Sequence, residues 1–150
     1  RLIIGDKSAE DSTFKLKLTH DRLEGGGHCI GDVVSAEFVL PLTDSAPFSL
    51  KAKTTRWNFA NFFSIFSSAA RQRDIQTLLT TSIDLQSDKG GFAKASGEVA
   101  VNEISLRRGA IGIKNSSPVR FFVRSGVVNA NPFSLEGEGG YLKGSIFDST

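Results

Sequence analysis

Residues 115–128 read NSSPVRFFVRSGVV: a polar turn, an alternating run, a second turn and a further apolar run. Side chains on an extended strand point alternately to opposite faces. Val119, Phe121 and Val123 therefore share one face, whereas Arg120 and Arg124 point to the other. This stretch predicts a β-strand with one apolar and one polar face, followed by a turn and another apolar run.

The same alternation recurs along most of the chain. Strands are predicted at residues 14–19, 35–40, 48–53, 80–85, 95–106, 110–114, 119–124, 126–130, 133–136 and 141–147. Glycine-rich and serine-rich turns separate them, for example Asp88–Gly91 and Asn115–Pro118. From about residue 95 onward, one strand follows another at a spacing of roughly 8 to 12 residues, with no helix to carry a parallel crossover. The pattern predicts an antiparallel meander.

One segment departs from this pattern. Four phenylalanines follow helical spacing, at i, i+3, i+4 and i+7. They are Phe59, Phe62, Phe63 and Phe66. We therefore expect a helical insertion at about residues 58–75, with an aromatic stripe that packs against the sheet. The alternative is that the stripe contacts lipid or fills an apolar groove.

Length and composition limit the classes of protein that fit. The 150 residues suit one domain, and 39% hydrophobic with 23% charged residues is typical of a folded, soluble one. The net charge is +2 and the basic residues are scattered, so nucleic acid is not expected as a partner. The chain begins with Arg1 and has no methionine, so we interpret it as a piece of a longer polypeptide.

The residues best suited to chemistry lie near the N-terminus. His20, Asp21, His28 and Cys29 surround a Gly25–Gly27 run that is expected to form a turn. Their spacing matches no nucleophilic or metal-binding signature, and adjacent strand residues such as His28 and Cys29 face opposite ways. The sequence predicts no catalytic residue, no metal site and no cofactor, and therefore no enzyme.

An amphipathic meander must bury its apolar face. It can pack against a second sheet, close into a barrel, or curl into a trough that a guest fills. Composition does not separate these solutions.

The C-terminal half supplies a resemblance. A short strand that opens with glycine spans Gly97–Val101, and two further apolar runs follow at Ile104–Leu106 and Gly109–Ile113. A polar turn that ends in a proline and a hydrophobic residue comes next, at Asn115–Val119, and the pattern L-x-G occurs at Leu142–Gly144. This order resembles the repeating β segments of the TamB and AsmA-like proteins of Gram-negative envelopes. The similarity covers about 75 residues well and the first half loosely.

The resemblance implies a mainly β fold, an antiparallel meander curled into a β-taco or open groove with one amphipathic helix. Residues 1–150 would form a single β-groove domain fragment. It would belong to a periplasmic conduit that carries phospholipid between the inner and outer membranes. The family also implies a role in outer-membrane protein assembly, as part of a translocation and assembly module with an Omp85-type barrel as partner. The parent chain would be anchored in the inner membrane outside this fragment.

Twelve residues are predicted to line the lipid groove. They are Val99, Val101, Ile104, Leu106, Ile111, Ile113, Val119, Phe121, Val123, Val128, Phe133 and Leu135. The change from odd to even positions between Val101 and Ile104 predicts a β-bulge at Asn102–Glu103. The competing hypothesis is a closed β-sandwich that binds no lipid and contacts another protein through an edge strand.

Overall fold

The computed structural model describes residues 3–4, 7–8, 12–29, 33–59, 75–138 and 140–146, and the protein is mainly β over these ranges. The strands are β1 Ile3–Ile4, β2 Lys7–Ser8, β3 Thr13–Leu18, β4 Arg22–Cys29, β5 Val34–Pro41, β6 Phe48–Trp57, β7 Ile75–Ser87, β8 Ser96–Arg108, β9 Ile111–Asn115, β10 Val119–Arg124, β11 Val127–Gly137 and β12 Gly140–Ile146. A 3₁₀ helix, Gly91–Lys94, lies between β7 and β8.

Ten of these strands form one antiparallel sheet. From β3 to β8, every strand pairs with the next one along the chain. Strands β9 and β10 then pair with successive parts of β8, and both pair with β11, which in turn pairs with β12. The pair β1–β2 is a separate two-stranded sheet. The antiparallel meander predicted from the sequence is confirmed, and it begins at β3 rather than at residue 95.

The register gives the sheet two chemically different faces, because directly paired residues in an antiparallel sheet share a face. One continuous set of partners runs through Leu16, Gly25, Phe38, Leu50, Leu85, Gly97, Val123 and Val128. The adjacent set on the opposite side runs through Glu37, Lys51, Asp84, Glu98 and Phe122. We call these sides the apolar face and the polar face.

Three register shifts keep the apolar residues on one side, and one of them lies in β11 between Ala130 and Phe133. Thr80 pairs with Glu103 and Thr81 with Val101, so Asn102 is an extra residue in β8. The bulge predicted from the shift in parity is therefore confirmed. A second irregularity lies in β6 before Trp57, where Arg56 has a φ of 47° and its N–H donates to the Thr80 hydroxyl at 3.1 Å. Bulges of this kind increase local twist and bend the strand.

The best buried part of the apolar face is a small cluster of Phe48, Leu85, Ala95 and Val123. The chain between β7 and β8 covers it, and the Phe92 ring packs edge-on against Phe48 with centroids 5.8 Å apart. The Gly126 N–H donates to the Ala95 carbonyl at 3.2 Å and fixes this cover to the β10–β11 turn. The cover closes one end of the apolar face.

Threonines extend the covered region toward the β6 bulge. The Thr81 N–H donates to the Thr54 hydroxyl at 2.9 Å, and the Thr54 hydroxyl also lies 3.2 Å from the Leu79 carbonyl. The buried Thr77 hydroxyl donates to Asn58 Oδ1 at 3.0 Å. These bonds satisfy polar groups that would otherwise be costly to bury.

One prediction of local structure is wrong, and another lies largely outside the described residues. Gly25–Gly27 do not form a turn but lie inside β4, and residues 19–21 connect β3 to β4. The glycines are accommodated there because the side chains of Leu16 and Phe38 occupy the space above Gly25. For the predicted helix, Phe59 lies in a turn and Ile75 begins β7, whereas residues 60–74, with Phe62, Phe63 and Phe66, lie outside the described residues.

Candidate functional site

The register places all twelve predicted groove residues on the apolar face. Val99 pairs with Phe121, Val101 with Val119, and Leu106 with Ile113. The rest follow from the pairs Leu79–Ile104, Arg108–Ile111, Val123–Val128, Asn115–Leu135 and Phe133–Gly144. The bulge at Asn102 is what aligns the two halves of β8. The sequence therefore grouped these residues on the side of the sheet where the structure has them.

Exposure divides this face into a covered centre and two bare margins. Leu85 and Val123 in the centre are 5% and 4% exposed, whereas Leu18 and Ile111 are 72% and 68% exposed. The N-terminal margin consists of Phe14, Leu16, Leu18 and Leu40. The C-terminal margin consists of Ile111, Ile113, Val128 and Leu142. Large apolar side chains exposed side by side, as at the N-terminal margin, are a typical mark of an interaction surface. At the C-terminal margin, Val128 lies near the start of β11, whereas Leu142 and Ile113 lie opposite its other end.

Sequence reasoning found the C-terminal margin but missed the N-terminal one as a candidate site. The alternation of Phe14, Leu16 and Leu18 was visible and predicted an amphipathic strand. What it could not show is that Gly25–Gly27 continue the sheet, because glycine is depleted in strands. Only that continuation joins β3 to the same apolar face.

Aromatic rings cover glycines near both margins. A methyl group added at Gly25 would lie 2.5 Å from the Phe38 ring, and one at Gly144 would lie 2.6 Å from the Phe133 ring. In each case the ring of one strand occupies the side-chain space of its paired glycine, an arrangement that protects the backbone of weak strands. Both margins therefore present aromatic and aliphatic carbon rather than exposed peptide groups at these points.

The polar face carries charged and hydroxyl side chains that favour contact with water. Lys51 Nζ lies 3.7 Å from Asp84 Oδ2, and Arg120 Nη1 lies 2.7 Å from Glu98 Oε1. A shallow hollow of about 500 Å³ on this side is lined chiefly by His28, Ser35, Glu37, Lys51, Lys53, Ser82, Asp84 and Glu98. Charged and hydroxyl groups of this kind do not bind hydrocarbon. The candidate site for an apolar ligand is thus marked by the exposed margins of the opposite face.

The residues considered for catalysis do not meet. His20 and Asp21 lie in the turn between β3 and β4, and Cys29 ends β4, so about 25 Å of extended strand separates the two groups. Within the described ranges, no three His, Cys, Asp or Glu side chains are grouped so as to hold a metal ion. His28 and Cys29 are adjacent on the strand and point to opposite faces.

Asp21 has a structural role in the turn between β3 and β4. The Thr19 hydroxyl donates to Asp21 Oδ1 at 2.8 Å, and this hydrogen bond lowers the pKa of the carboxyl group. The Arg22 guanidinium, with Nη1 3.8 Å from Asp21 Oδ2, acts in the same direction. The Leu42 N–H donates to the Asp21 carbonyl at 2.7 Å. Asp21 therefore fastens the β3–β4 turn to the chain that follows β5.

Comparisons with protein-family models, with curated proteins and with solved structures give no significant match to this chain. A search of the described residues for a helix long and apolar enough to cross a bilayer finds none. The inference of function therefore starts from the apolar face and from the resemblance carried by the C-terminal strands.

Proposed function

We propose that the apolar face of this sheet shields phospholipid acyl chains as part of a periplasmic conduit between the inner and outer membranes. The observation that carries the proposal is the pair of margins, where eight large apolar side chains are 40% to 72% exposed on one face of one sheet. Each methylene withdrawn from water contributes about 0.8 kcal/mol. A surface of this kind binds an acyl chain without catalytic groups or specific polar contacts.

The dimensions of the sheet suit such a ligand. With β9 and β10 at one lateral position, the sheet has nine positions from β3 to β12, and the eight spacings between them correspond to about 38 Å across the strands. The register brings an apolar residue or the ring-covered Gly25 to every strand on the row from Leu16 to Val128 except β8, where Gly97 lies under the Asp84 carbonyl. An acyl chain lying on either bare margin meets mainly carbon, while the ion-paired polar face stays in water.

The setting in the cell envelope is supported by the resemblance alone. The order of glycine-led strands between Gly97 and Gly144 resembles TamB and AsmA-like segments. We therefore propose that the parent chain is anchored in the inner membrane. We further propose that it acts with an Omp85-type outer-membrane barrel and contributes to outer-membrane protein assembly.

A closed β-sandwich without lipid is the second candidate. It is favoured by the covered centre, where the 3₁₀ helix closes one end of the apolar face over Phe48 and Val123. In that case further apolar groups cover the margins, and the protein serves as a structural or interaction domain. The two candidates differ in one direct respect, because the sandwich leaves no surface for an acyl chain.

Two adjacent valines provide the test. Val128 lies on the apolar face opposite Val123 and is 40% exposed, whereas Val127 lies on the polar face opposite Arg124 and is 37% exposed. We expect Val128→Asp to reduce the phospholipid that copurifies with the protein and Val127→Asp to leave it unchanged. Native mass spectrometry followed by lipid extraction measures both, and circular dichroism verifies that each variant is folded.

The outcomes separate the candidates. Loss of lipid in folded Val128→Asp with retention in Val127→Asp supports an acyl-chain surface. A wild-type protein that carries no phospholipid and takes up none from vesicles contradicts it and favours the sandwich. Equal loss in both folded variants also contradicts it, since a lipid held by the apolar face must distinguish the two sides.

A further inference from the structure

Strand β3 is an edge of the sheet. It pairs with β4 on one side, from Thr13–His28 to Leu18–Leu23, and no strand in the described ranges pairs with its other side. All six of its residues are exposed. The outer side of β3 therefore presents a row of backbone N–H and C=O groups with ladder geometry.

The side chains of β3 are unusual for an unprotected edge. Natural edge strands are commonly short, bulged, covered or marked by charged residues, because a long apolar edge recruits other strands. Strand β3 carries two such charges, Lys15 and Lys17, but in the described part of the chain it is neither bulged nor covered. Here Phe14, Leu16 and Leu18 are 48%, 66% and 72% exposed along one side of a six-residue strand. Such an edge matches the mode of recognition in which an extended peptide adds a strand to a sheet.

Charges on the polar face specify the chemistry of the added strand. Three ion pairs join neighbouring strands, Lys17–Glu24 across β3–β4, Lys51–Asp84 across β6–β7 and Glu98–Arg120 across β8–β10, whereas two carboxylates, Asp84 and Glu98, lie directly opposite each other across β7–β8. Lys15 lies opposite Gly26, which has no side chain. The Lys17 side chain is 71% exposed although its Nζ lies 3.8 Å from Glu24. Acidic residues on the polar face of a strand beyond β3 would place carboxylates beside Lys15 and Lys17.

A second copy of this chain does not meet that requirement at its own sheet edges. The β3 edge of a second copy brings Lys15 and Lys17 against the same lysines, and its β12 edge brings Lys143. Like charges placed directly opposite each other on neighbouring strands are destabilising. Within the described residues, neither edge of the large sheet in a second copy supplies acidic residues at these positions, so we assign the edge to a segment of a partner protein.

We infer that β3 binds an extended peptide segment of a partner protein in which acidic and apolar residues alternate, and that the segment adds to the sheet as a further strand. Its carboxylates lie beside Lys15 and Lys17 on the polar face. Its apolar side chains lie beside Leu16 and Leu18 and extend the apolar face by one strand. This inference does not require lipid binding, because the backbone edge and the lysines of β3 carry it, although Leu16 and Leu18 also belong to the N-terminal margin.

The experiment uses the whole chain and three labelled peptides. The probe is an eight-residue peptide of alternating valine and glutamate. The second peptide has lysine in place of glutamate, and the third is the probe methylated on every backbone nitrogen. Fluorescence anisotropy measures binding, and hydrogen exchange reports which backbone amides are protected by the probe.

We expect the glutamate peptide to bind about tenfold more tightly than the lysine peptide. Binding should weaken with added salt, since the pairs are exposed. The methylated peptide should lose binding, because it cannot form the ladder. The probe should slow exchange in residues 13–18 and leave residues 140–146 unchanged. In Lys15→Glu combined with Lys17→Glu, the preference between the first two peptides should reverse.

Several results would overturn the inference. One is that the probe does not bind. Another is that the methylated peptide binds as well as the probe, which would reduce the interaction to charge alone. Protection at β12 instead of β3 would place the interaction at the wrong edge. A concentration-dependent dimer formed without peptide, and protected at β3, would assign the edge to a second copy. The peptide measurements on the wild-type chain stand whether or not the charge-reversed variant folds.

Discussion

The centre and the margins of the apolar face use similar side chains and reach opposite exposures. Leu85 in the centre is 5% exposed and Leu18 at the N-terminal margin is 72% exposed, although both are leucines on the same face. The difference is the cover that the β7–β8 connection places over Phe48 and Val123. Burial thus depends on which segment lies above a strand, and the alternation within the strand does not determine it.

This comparison separates stability from binding. The centre holds the packed contacts that stabilise the sheet, because burial of a leucine side chain contributes about 1.5 to 3 kcal/mol. The margins contribute little of this and expose carbon instead. Substitutions in the centre should therefore lower the free energy of unfolding, whereas those at the margins should change what the sheet binds.

The largest expected effect tests the comparison directly. Leu85→Ala removes a buried side chain and leaves a cavity, so we expect a loss of about 2 to 5 kcal/mol in the free energy of unfolding. Leu18→Ala should cost less than about 0.5 kcal/mol, since its side chain is already in water. Urea denaturation measures both. Equal losses would show that the N-terminal margin is packed in solution, and the distinction would fail.

A substitution at a glycine tests how closely the backbones of β7 and β8 approach each other at the centre of the apolar face. Gly97 has a φ of 150°, and an added Cβ would lie 1.9 Å from the Asp84 carbonyl oxygen. We expect Gly97→Ala to cost about 1 to 3 kcal/mol, because the β7–β8 pairing must shift. Gly140→Ala at the start of β12 is the control, since no atom lies within 4 Å of the added carbon. A urea midpoint for Gly97→Ala equal to that of the control would contradict the close approach.

The ring-covered glycines give a smaller effect. Phe38→Leu removes the ring that lies over Gly25 and should cost about 1 kcal/mol, the contribution of a specific aromatic contact beyond simple burial. Phe122→Leu, on the polar face and 36% exposed, should cost less than about 0.5 kcal/mol. Hydrogen exchange of β4 amides provides a local measure. Unchanged exchange in Phe38→Leu would mean that the glycine strand is held by its backbone bonds alone.

The smallest expected effect is the pH dependence of stability that arises from Asp21 in the turn between β3 and β4. The hydrogen bond from Thr19 lowers the pKa of Asp21 below its ordinary value of 3.8. The ionised carboxyl group therefore contributes stability above that value, and the contribution is lost as the pH falls through the lower pKa of the folded state. We expect acidification from neutral pH to lower the urea midpoint slightly more in the wild type than in Asp21→Asn. An NMR titration of Asp21 in Thr19→Ala should show the pKa move back toward 3.8.

Much of the fold was readable from local pattern. Alternation predicted nine of the ten strands of the large sheet, and the parity shift predicted the bulge at Asn102. Two predicted runs, 126–130 and 133–136, proved to be one strand, β11, with an irregular register between Ala130 and Phe133. Pro132 lies within β11, at this register shift.

Strand β4, which the sequence did not predict, shows why alternation alone does not identify every strand. Gly25–Gly27 have no side chains from which a face could be assigned, and they favour turns by their own preference. They become a strand because β3 and β5 pair with them on both sides and because Leu16 and Phe38 pack over Gly25. Contacts made by other segments therefore decided this element.

The sequence by itself determined the mainly β class, the amphipathic alternation of each strand and the set of residues that shares the apolar face. These depend on neighbours in the chain, and the period of two records them directly. The tertiary structure alone decided that one sheet runs from β3 to β12, that the centre of its apolar face is covered and that its margins are bare. Pairing and burial depend on segments distant in sequence, so no local pattern specifies them.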